Sequence, residues 1–478
     1  MSTKNAELDR NLSSAQQKSE LAHAYKLKNQ FQDVPWTVSK ALTKGGWETK
    51  LSILIMGFGN MVHGQIVKGL LWLAMEILFI LYMIKRGVPV LSKFGSLGSG
   101  PGEKVWDEAA NVYRYTEGDN SVLILLWGVI SIAMIVTFFF IWRSALKSAY
   151  KAEYVADQGY KPNSIKEDIA SLFDQRIHHL LLTLPITGSV VFTVLPLLFM
   201  MTMAFTSYSV ENNKLVSFDW VGLKNFVRVL NTGNSIGQTF WPVLGWTMIW
   251  AISATLTTFF GGLCLALLIH RKRTKGKAFW RVAFAITIAI PQYISLLVVR
   301  QMLNQTGPVN MLLMDAGWID KPLPFWTNAT WARVTVIIVN LWVGIPHTLL
   351  QVTGILENFP EDYWEAAEID GANGWQKFWH ITMPYIISIM GPFLITQFTG
   401  NVNNFNVIFL LTAGGPPRFG STAGYTDLLV TWLYSLTVDN RYYNIGAVVG
   451  IFTFIVLSII ALTLYRITPT ARKERGDD

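Results

Sequence analysis

The sequence has little charge, a single cysteine and no nucleotide-binding loop, and each shortage excludes a class of protein. Only 15% of its 478 residues are Asp, Glu, Lys or Arg, whereas 51% are hydrophobic, which excludes an ordinary soluble domain. Cys264 is the only cysteine, so a disulfide framework is excluded. The phosphate-binding pattern GxxxxGK(S/T) does not occur, so we do not expect this chain to bind ATP.

Apolar runs of about twenty residues recur along the chain, and a helix of that length crosses a hydrocarbon core of about 30 Å. We therefore predict an all-α polytopic membrane protein with about eight transmembrane helices. Polar residues interrupt the first apolar stretch, so we predict that residues 51–66 are interfacial or re-entrant. The predicted spans cover residues 68–84, 122–142, 179–206, 242–269, 279–301, 332–354, 385–411 and 443–466.

Lys and Arg are distributed unevenly between the segments that connect these spans. If the N-terminus is cytoplasmic, the cytoplasmic segments carry 25 of them and the opposite segments carry 11. This bias agrees with the positive-inside rule and places both termini in the cytoplasm. The net charge of +8 is thereby explained by topology, so we expect no nucleic-acid partner. The first fifty residues lack an apolar signal core, and we predict no cleaved signal peptide.

Composition divides the chain into five parts. A basic cytoplasmic tail covers residues 1–50, and an accessory membrane segment with two spans covers 51–142. Residues 143–178 form an amphipathic cytoplasmic connector, in which Ile165, Ile169 and Leu172 recur at helical spacing. We predict a six-span core over residues 179–466 and a short cytoplasmic tail over 467–478.

The connection between the sixth and seventh spans, residues 355–384, is acidic although the topology places it in the cytoplasm. It holds six Asp and Glu residues, and Lys377 is its only Lys or Arg. We predict a short helix, because Glu361 and Asp362 complement the N-terminal end of a helix dipole. Gly371 ends that helix, and an aromatic stripe marks a second one at Trp375, Phe378 and Trp379. A polar surface at this place indicates contact with a protein partner.

The same loop resembles a known motif. Glu365-Ala366-Ala367, followed by Gly371, Ile381, Met383 and Pro384, is similar to the EAA motif of the membrane-spanning subunits of binding-protein-dependent ABC importers. That family has Leu at the position of Met383, which is a volume-conserving difference. Further stretches resemble the larger permease of maltose and maltodextrin importers, namely Asn340 to Pro346, Asn401 to Phe405, Leu411 to Pro416 and Gly424 to Leu429.

The resemblance implies a six-helix type I ABC importer permease core with an N-terminal two-span extension. It implies an oligosaccharide substrate, a second permease subunit, two cytoplasmic ATPase subunits that bind ATP and Mg²⁺, and an external sugar-binding protein, at the plasma membrane of a bacterium. The residues that it implies for coupling to the ATPase are Glu365, Ala366, Ala367, Asp370, Gly371 and Pro384. Some maltose permeases carry a large insert after the first core span, but residues 207–241 leave room only for a short loop.

Polar side chains inside the predicted spans are candidates for the substrate path. Buried amides need partners, and each offers a donor and an acceptor to a sugar hydroxyl pair. The alternative is hydrogen bonding between helices without sugar contact, and we assign Asn403 to that role. Several of the remaining positions match the sugar pocket of maltose-type permeases. The predicted path residues are Gln292, Asn340, Gly344, His347, Asn401 and Asn404.

Three other functions are weighed against this one. Another ABC solute, such as a different glycan or a glycerol phosphate, is the nearest alternative, although the predicted path contains no Lys or Arg. A secondary transporter would require acidic residues in the membrane, and the six core spans contain no Asp or Glu. A membrane enzyme would require a nucleophile with its base, or a metal cluster, and we predict no catalytic residue and no metal site.

Overall fold

The computed structural model describes residues 36–98, 104–107, 112–115, 118–174, 177–210, 217–271 and 273–467, and these are nearly all helical. Within them, seven helices are long and apolar enough to cross a membrane, or eight if one bent pair counts as a span. This confirms the all-α polytopic class and the predicted number of spans. In chain order, spans 1 to 8 are Ile66–Phe94, Ser121–Asp157, Leu180–Met203, Ser235–His270, the pair Lys277–Ala289 and Gln292–Met302, Ala329–Glu357, Gly374–Thr412 and Tyr443–Arg466.

The chain divides into two compact units. The first consists of Met1–Thr202 and Val216–Trp220, and it holds spans 1 and 2 and nearly all of span 3. The second consists of Met203–Leu215 and Val221–Asp478 and holds spans 4 to 8. The predicted division into five parts is not tested by this result and stays a prediction.

The last part of the predicted basic tail is folded. Helices Val38–Lys44 and Trp47–Leu51 follow residue 36, whereas residues 1–35 lie outside the described part of the chain. Ala41 is buried in a small apolar cluster with Leu146 and Tyr150 of span 2. Trp36 packs edge-on against Tyr150 as well, at 6.1 Å between ring centroids. Apolar side chains at the end of the tail therefore hold it against span 2.

Residues 51–66 form a tightly turned segment with its own hydrogen bonds. The short helix Phe58–Val62 follows Gly57, whose positive φ of 82° suits a residue without a side chain. Asn60 is fully buried and its amide donates to Gln65 Oε1 at 2.7 Å. The Glu76 carboxylate of span 1 accepts the Met56 N–H at 2.8 Å. These bonds give the segment partners within the protein; whether it is interfacial or re-entrant stays a prediction.

The predicted connector begins as a continuation of span 2, because that helix runs without interruption to Asp157. The separate helix Ile165–Phe173 follows, and Ser164 and Glu167 form a capping box at its start.

A two-stranded antiparallel hairpin, Lys104–Asp107 with Val112–Tyr115, lies between spans 1 and 2 and was not predicted. Its Val, Trp and Tyr residues favour extended backbone. Span 3 is built from helices Ile177–Ser189 and Leu195–Met203 around the π-helical turn Val190–Val194.

The core of the second unit lies between spans 4, 6 and 7. Trp250, Val336 and Val402 are fully buried in one apolar cluster, and a second cluster surrounds Leu349 and Ile386. Glycines allow close approach of the helices. A Cβ on Gly262 would lie 2.6 Å from Thr348 Cβ, so spans 4 and 6 touch there almost backbone to backbone. Further short helices of this unit are Lys224–Leu230, Pro308–Asp315, Asp362–Ile369 and Leu429–Tyr434, with a π-helical turn at Ser435–Asp439.

Spans 5 and 7 differ from the continuous helices suggested by residues 279–301 and 385–411. Span 5 bends by 90° between its two helices. Ile290 is extended and Pro291 is the N-cap residue of the second helix. The residue before a proline is disfavoured in helical geometry, so the first helix ends there. Span 7 begins already in the acidic loop. Its parts are Gly374–Lys377, the π-helical turn Phe378–Thr382, Met383–Val402 and Phe405–Thr412.

Candidate functional site

The acidic loop forms a helix with an exposed outer face. The helix Asp362–Ile369, called the acidic helix below, has Glu361 as its N-cap residue and two carboxylates in its first turn. It ends in a Schellman motif, in which Ala372 N–H donates to the Ala367 carbonyl at 2.9 Å. Gly371 has a φ of +75° at this turn, where a side chain would be strained. The predicted helix and its glycine stop are both present.

One side of the acidic helix is fastened to the start of span 7. The indole of Trp364 donates to Thr382 Oγ1 at 3.2 Å and stacks on Phe359 at 4.7 Å between centroids. Phe359 in turn meets the ring of Tyr385 edge-on at 4.8 Å. Lys377 also forms an ion pair with Glu368 at 2.7 Å. The acidic helix and the first turns of span 7 are therefore joined by aromatic and polar contacts.

The other side of the acidic helix is free of these contacts. Glu365, Ala366, Asp370 and Gly371 are exposed, whereas Ala367 is buried against the chain. Ile369 is 87% exposed, which is unusual for a branched apolar side chain, and the exposed Glu368 and Asp370 are its neighbours in sequence. Pro384 is exposed in the first turn of Met383–Val402, where proline is tolerated. This face carries carboxylates around one apolar side chain and has the composition of a docking surface.

A cavity of about 250 Å³ lies at the break in span 5. Two of the predicted path residues, Gln292 and His347, line it. Thr287, Ser295 and Trp342 contribute a hydroxyl pair and an indole to the same wall. The unwound Ile290 and Pro291 form its edge, so the break opens the space between spans 5 and 6. A polar wall with one aromatic ring can bind a hydroxylated solute through hydrogen bonds and ring contact.

Three other predicted path residues lie in spans 6 and 7, outside the lining given for the cavity. Asn340 is 3% exposed within span 6. Gly344 lies one turn later, and a Cβ there would meet Thr258 of span 4 at 2.4 Å. The buried amide of Asn401 donates to Thr255 Oγ1 of span 4 at 2.9 Å. Gly344 and Asn401 thus contribute to contacts between spans, and none of these three is among the cavity-lining residues.

Asn404 and Asn403 lie at the interruption of span 7. Asn404 Oδ1 accepts the Val407 N–H at 3.2 Å and caps the helix Phe405–Thr412. Asn403 is exposed, and its amide donates to the Thr399 carbonyl at 3.3 Å. Asn404 therefore has a local capping role in this structure. The Asn403 bond lies within its own helix, so a contact of Asn403 with another helix stays a prediction.

Two amides escaped the sequence-based selection. Asn406 donates to Gln292 Oε1 at 3.4 Å across 114 residues of chain, which links span 7 to the cavity. Gln397 donates to Thr258 Oγ1 at 2.8 Å, and its own Oε1 is buried without a protein partner. Gln397 lies four residues before Asn401, so helical spacing could have identified it. Nothing in the local sequence pairs Asn406 with Gln292.

A buried carboxylate, Asp427, lies in the segment between spans 7 and 8. It accepts the Gly424 N–H at 2.8 Å and the Thr431 hydroxyl at 2.7 Å. Burial raises the pKa of the Asp427 carboxyl, and the two hydrogen bonds act in the opposite direction. Gly414 approaches this carboxylate so closely that a Cβ would lie 2.2 Å from it. Asp427 therefore stabilises the loop between spans 7 and 8 by contacts with Gly414, Gly424 and Thr431.

Among the described residues, no three His, Cys, Asp or Glu side chains are grouped to hold a metal ion.

Comparison with known proteins places this geometry in context. Residues 260–471 match the model of the family described as the binding-protein-dependent transport system inner membrane component. The maltodextrin transport system permease protein MalC of Streptococcus pneumoniae is 32% identical over 421 residues, which cover 85% of this chain and 92% of MalC. The galactooligosaccharides transport system permease protein GanP of Bacillus subtilis is also 32% identical, over 88% of this chain and 97% of GanP.

A solved structure has the same fold over much of the chain. It is a chain of a bacterial alginate ABC transporter in complex with an alginate pentasaccharide-bound periplasmic protein, matched with a TM-score of 0.53. The match covers 64% of this chain and 98% of that chain at 22% identity. The type I permease core expected from the sequence is thus confirmed as a fold.

Proposed function

Because the chain belongs to the membrane-spanning permease subunits of binding-protein-dependent ABC sugar importers, we propose that it carries a maltodextrin-like oligosaccharide into a bacterial cell. It is a transport component of the inner membrane rather than an enzyme. The proposed assembly adds a second permease subunit, two cytoplasmic ATPase subunits and an external sugar-binding protein. ATP and Mg²⁺ bind to the ATPase subunits, and both termini of this chain are cytoplasmic.

The acidic helix is the surface through which ATP hydrolysis moves the spans. The observation that carries this proposal is the contrast between its two sides: one is fastened to span 7, and the other exposes Glu365, Asp370 and Ile369. A cleft of the ATPase would hold the apolar side chain and pair with the carboxylates. Since the Trp364 contacts leave little freedom between the helix and span 7, movement of the ATPase would displace both together.

The cavity at the break in span 5 is the proposed binding place for the sugar. Gln292 and His347 supply donors and acceptors for hydroxyl groups, and Trp342 offers a ring face for the apolar side of a pyranose. Among the described residues, no Lys, Arg, Asp or Glu lines the cavity, which favours a neutral glycan over a glycerol phosphate or an acidic glycan. Gly344 and Asn401 support this place through their contacts with span 4, and Asn404 supports it by capping the last helix of span 7.

A galactooligosaccharide is the second candidate substrate. GanP resembles the chain to the same degree as MalC, and both would present neutral hydroxyl groups to the cavity. The two sugars differ in hydroxyl orientation and linkage. The residue types of Gln292, His347 and Trp342 suit either sugar.

Substrate-stimulated ATP hydrolysis tests the proposal. The whole complex, purified with its binding protein, is assayed with maltodextrins, galactooligosaccharides, an acidic alginate oligosaccharide and glycerol phosphate. We expect the neutral oligosaccharides to stimulate hydrolysis only when the binding protein is present, with maltodextrins strongest. Stimulation by glycerol phosphate or alginate alone would contradict a neutral-glycan cavity. The chain purified alone should hydrolyse no ATP.

A further inference from the structure

A large open cleft lies between the C-terminal end of span 4 and the first helix of span 5, away from the proposed sugar cavity. Its volume is about 630 Å³. Leu265, Leu268 and Ile269 form one wall, and Trp280 and Phe284 form the other. These two walls are apolar, which would be unfavourable for a cleft that holds only water.

Two cations line the same cleft. Arg271 and Arg273 are exposed in the short connection between the two helices. Among the described residues, no carboxylate lies within ion-pair distance of either guanidinium. The neighbouring Arg281, by contrast, is paired with Glu357. The cleft therefore combines apolar walls with two cations that lack a carboxylate partner.

The connection that carries these arginines is held in a defined shape. Thr274 Oγ1 donates to the Leu268 carbonyl at 2.6 Å, and Lys277 Nζ donates to the His270 carbonyl at 2.9 Å. Gly276, with a φ of +67°, starts the next helix. These two bonds link the residues that follow Arg273 to the end of span 4.

From this arrangement we propose that the cleft binds an anionic phospholipid of the cytoplasmic leaflet. The phosphate headgroup would pair with Arg271 and Arg273, and an acyl chain would lie between Leu268 and Phe284. Residues 270–281 contain six Lys and Arg and no Asp or Glu, which places the cleft on the predicted cytoplasmic side. Trp280 is half-exposed, and tryptophan is enriched where membrane helices meet lipid headgroups.

Charge complementarity selects this occupant over others. Inorganic phosphate would satisfy the arginines but leave five apolar side chains uncovered. A zwitterionic phospholipid would cover the apolar walls but bring its own cation to the arginines. Of these three, the anionic lipid matches both features. The inference is independent of which sugar is carried and of how the acidic helix acts.

Photoaffinity labelling of the whole complex in nanodiscs tests the proposal. Photoreactive phosphatidylglycerol should label the peptide that contains residues 265–284, and photoreactive phosphatidylcholine should not. The Arg271→Gln/Arg273→Gln variant should lower labelling on the order of tenfold. Lys275→Gln is the matched control, because it removes a charge from the same connection without touching the cleft, and its labelling should equal that of the unmodified protein.

Four outcomes would overturn the proposal. Equal labelling of the double variant and the unmodified protein would remove the role of the arginines. An equal loss in Lys275→Gln would indicate diffuse surface charge instead of a site. Displacement of the lipid by inorganic phosphate would indicate a free-anion site. Absence of lipid labelling, together with a cross-link from Phe284 to a partner subunit, would show that protein fills the cleft.

A further variant tests the apolar part of the cleft. Leu268→Trp fills that part and keeps both arginines, so it should also reduce labelling.

Discussion

The acidic helix and the cavity in span 5 are built in opposite ways. The acidic helix takes all its functional residues from one short stretch of chain, exposes them, and uses Trp364 and Phe359 to fasten its inner side. The cavity draws on separate helices, and its contact between Asn406 and Gln292 bridges 114 residues. The proposed surface for a protein partner is thus local, whereas the proposed place for a solute depends on how several spans pack.

The difference predicts that damage to the acidic helix is severe and specific. Gly371→Val places a β-branched residue at a φ of +75°, which costs about 1–2 kcal/mol, and adds bulk to the exposed face. We expect sugar uptake to fall by more than about tenfold while the complex still assembles. Gly374→Ala is the control, because that glycine has open space and no positive φ. Normal uptake in Gly371→Val would remove the distinction between the two regions.

The inner side of the acidic helix offers the second test. Trp364→Ala removes the hydrogen bond to Thr382 and the stack on Phe359, which together are worth about 1–3 kcal/mol. We expect ATP hydrolysis to continue with several-fold less uptake per ATP, measured in proteoliposomes. Trp364→Phe keeps a ring for the stack and should retain most of the transport. Equal defects in the two variants would show that the aromatic stack contributes nothing.

Substitutions in the cavity should change affinity more than coupling. Gln292→Ala or His347→Ala removes one hydrogen-bonding group, so we expect KM for the sugar to rise by about two- to tenfold. The amount of ATP hydrolysed per sugar should stay constant, since the acidic helix is intact. Asn403→Ala, outside the cavity, serves as the control. A change in the ratio of ATP to sugar, with KM unaltered, would mean that these residues transmit movement instead.

The smallest effect is expected at the contacts that support the cavity. Asn401→Ala removes a hydrogen bond to Thr255, and such bonds between membrane helices are worth about 0.6 kcal/mol. Thermal unfolding in detergent should show a slightly lowered Tm, and Thr255→Ala should add no further loss in the double variant. A large loss of transport without loss of stability would instead give Asn401 a direct role in sugar binding.

The sequence predicted the acidic helix well because its signals are local. Helix dipole complementarity at Asp362, the stop at Gly371 and the spacing around Glu365 all act within a few turns of one another. The spans were predictable for a similar reason, since length and apolar composition decide them. The hairpin before span 2 was missed because its two strands are only four residues long. They lie in a polar connection that was assigned only as the link between two spans.

Local helix signals, segment length and apolar composition could not predict the break in span 5 or the cavity. Proline marks the break at Pro291, but Pro242, Pro346 and Pro392 lie inside continuous helices of spans 4, 6 and 7. The presence of a proline in an apolar run therefore does not by itself predict whether the helix breaks there or continues. In the same way, residue type could not distinguish Gln292, which lines the cavity, from Asn401, which binds Thr255. Packing between distant spans decides both cases.

Cross-linking from Ile369 tests the central claim most directly. In a Cys264→Ser background, a photoreactive label is attached to Ile369→Cys, and the assembled complex is irradiated. We expect an adduct with the ATPase subunit, and none from a label at Phe419→Cys, which is exposed in the segment on the opposite side of the membrane. An adduct with the ATPase from Phe419→Cys, or its absence from Ile369→Cys in a transport-competent complex, would contradict the assignment of the acidic helix as the coupling surface.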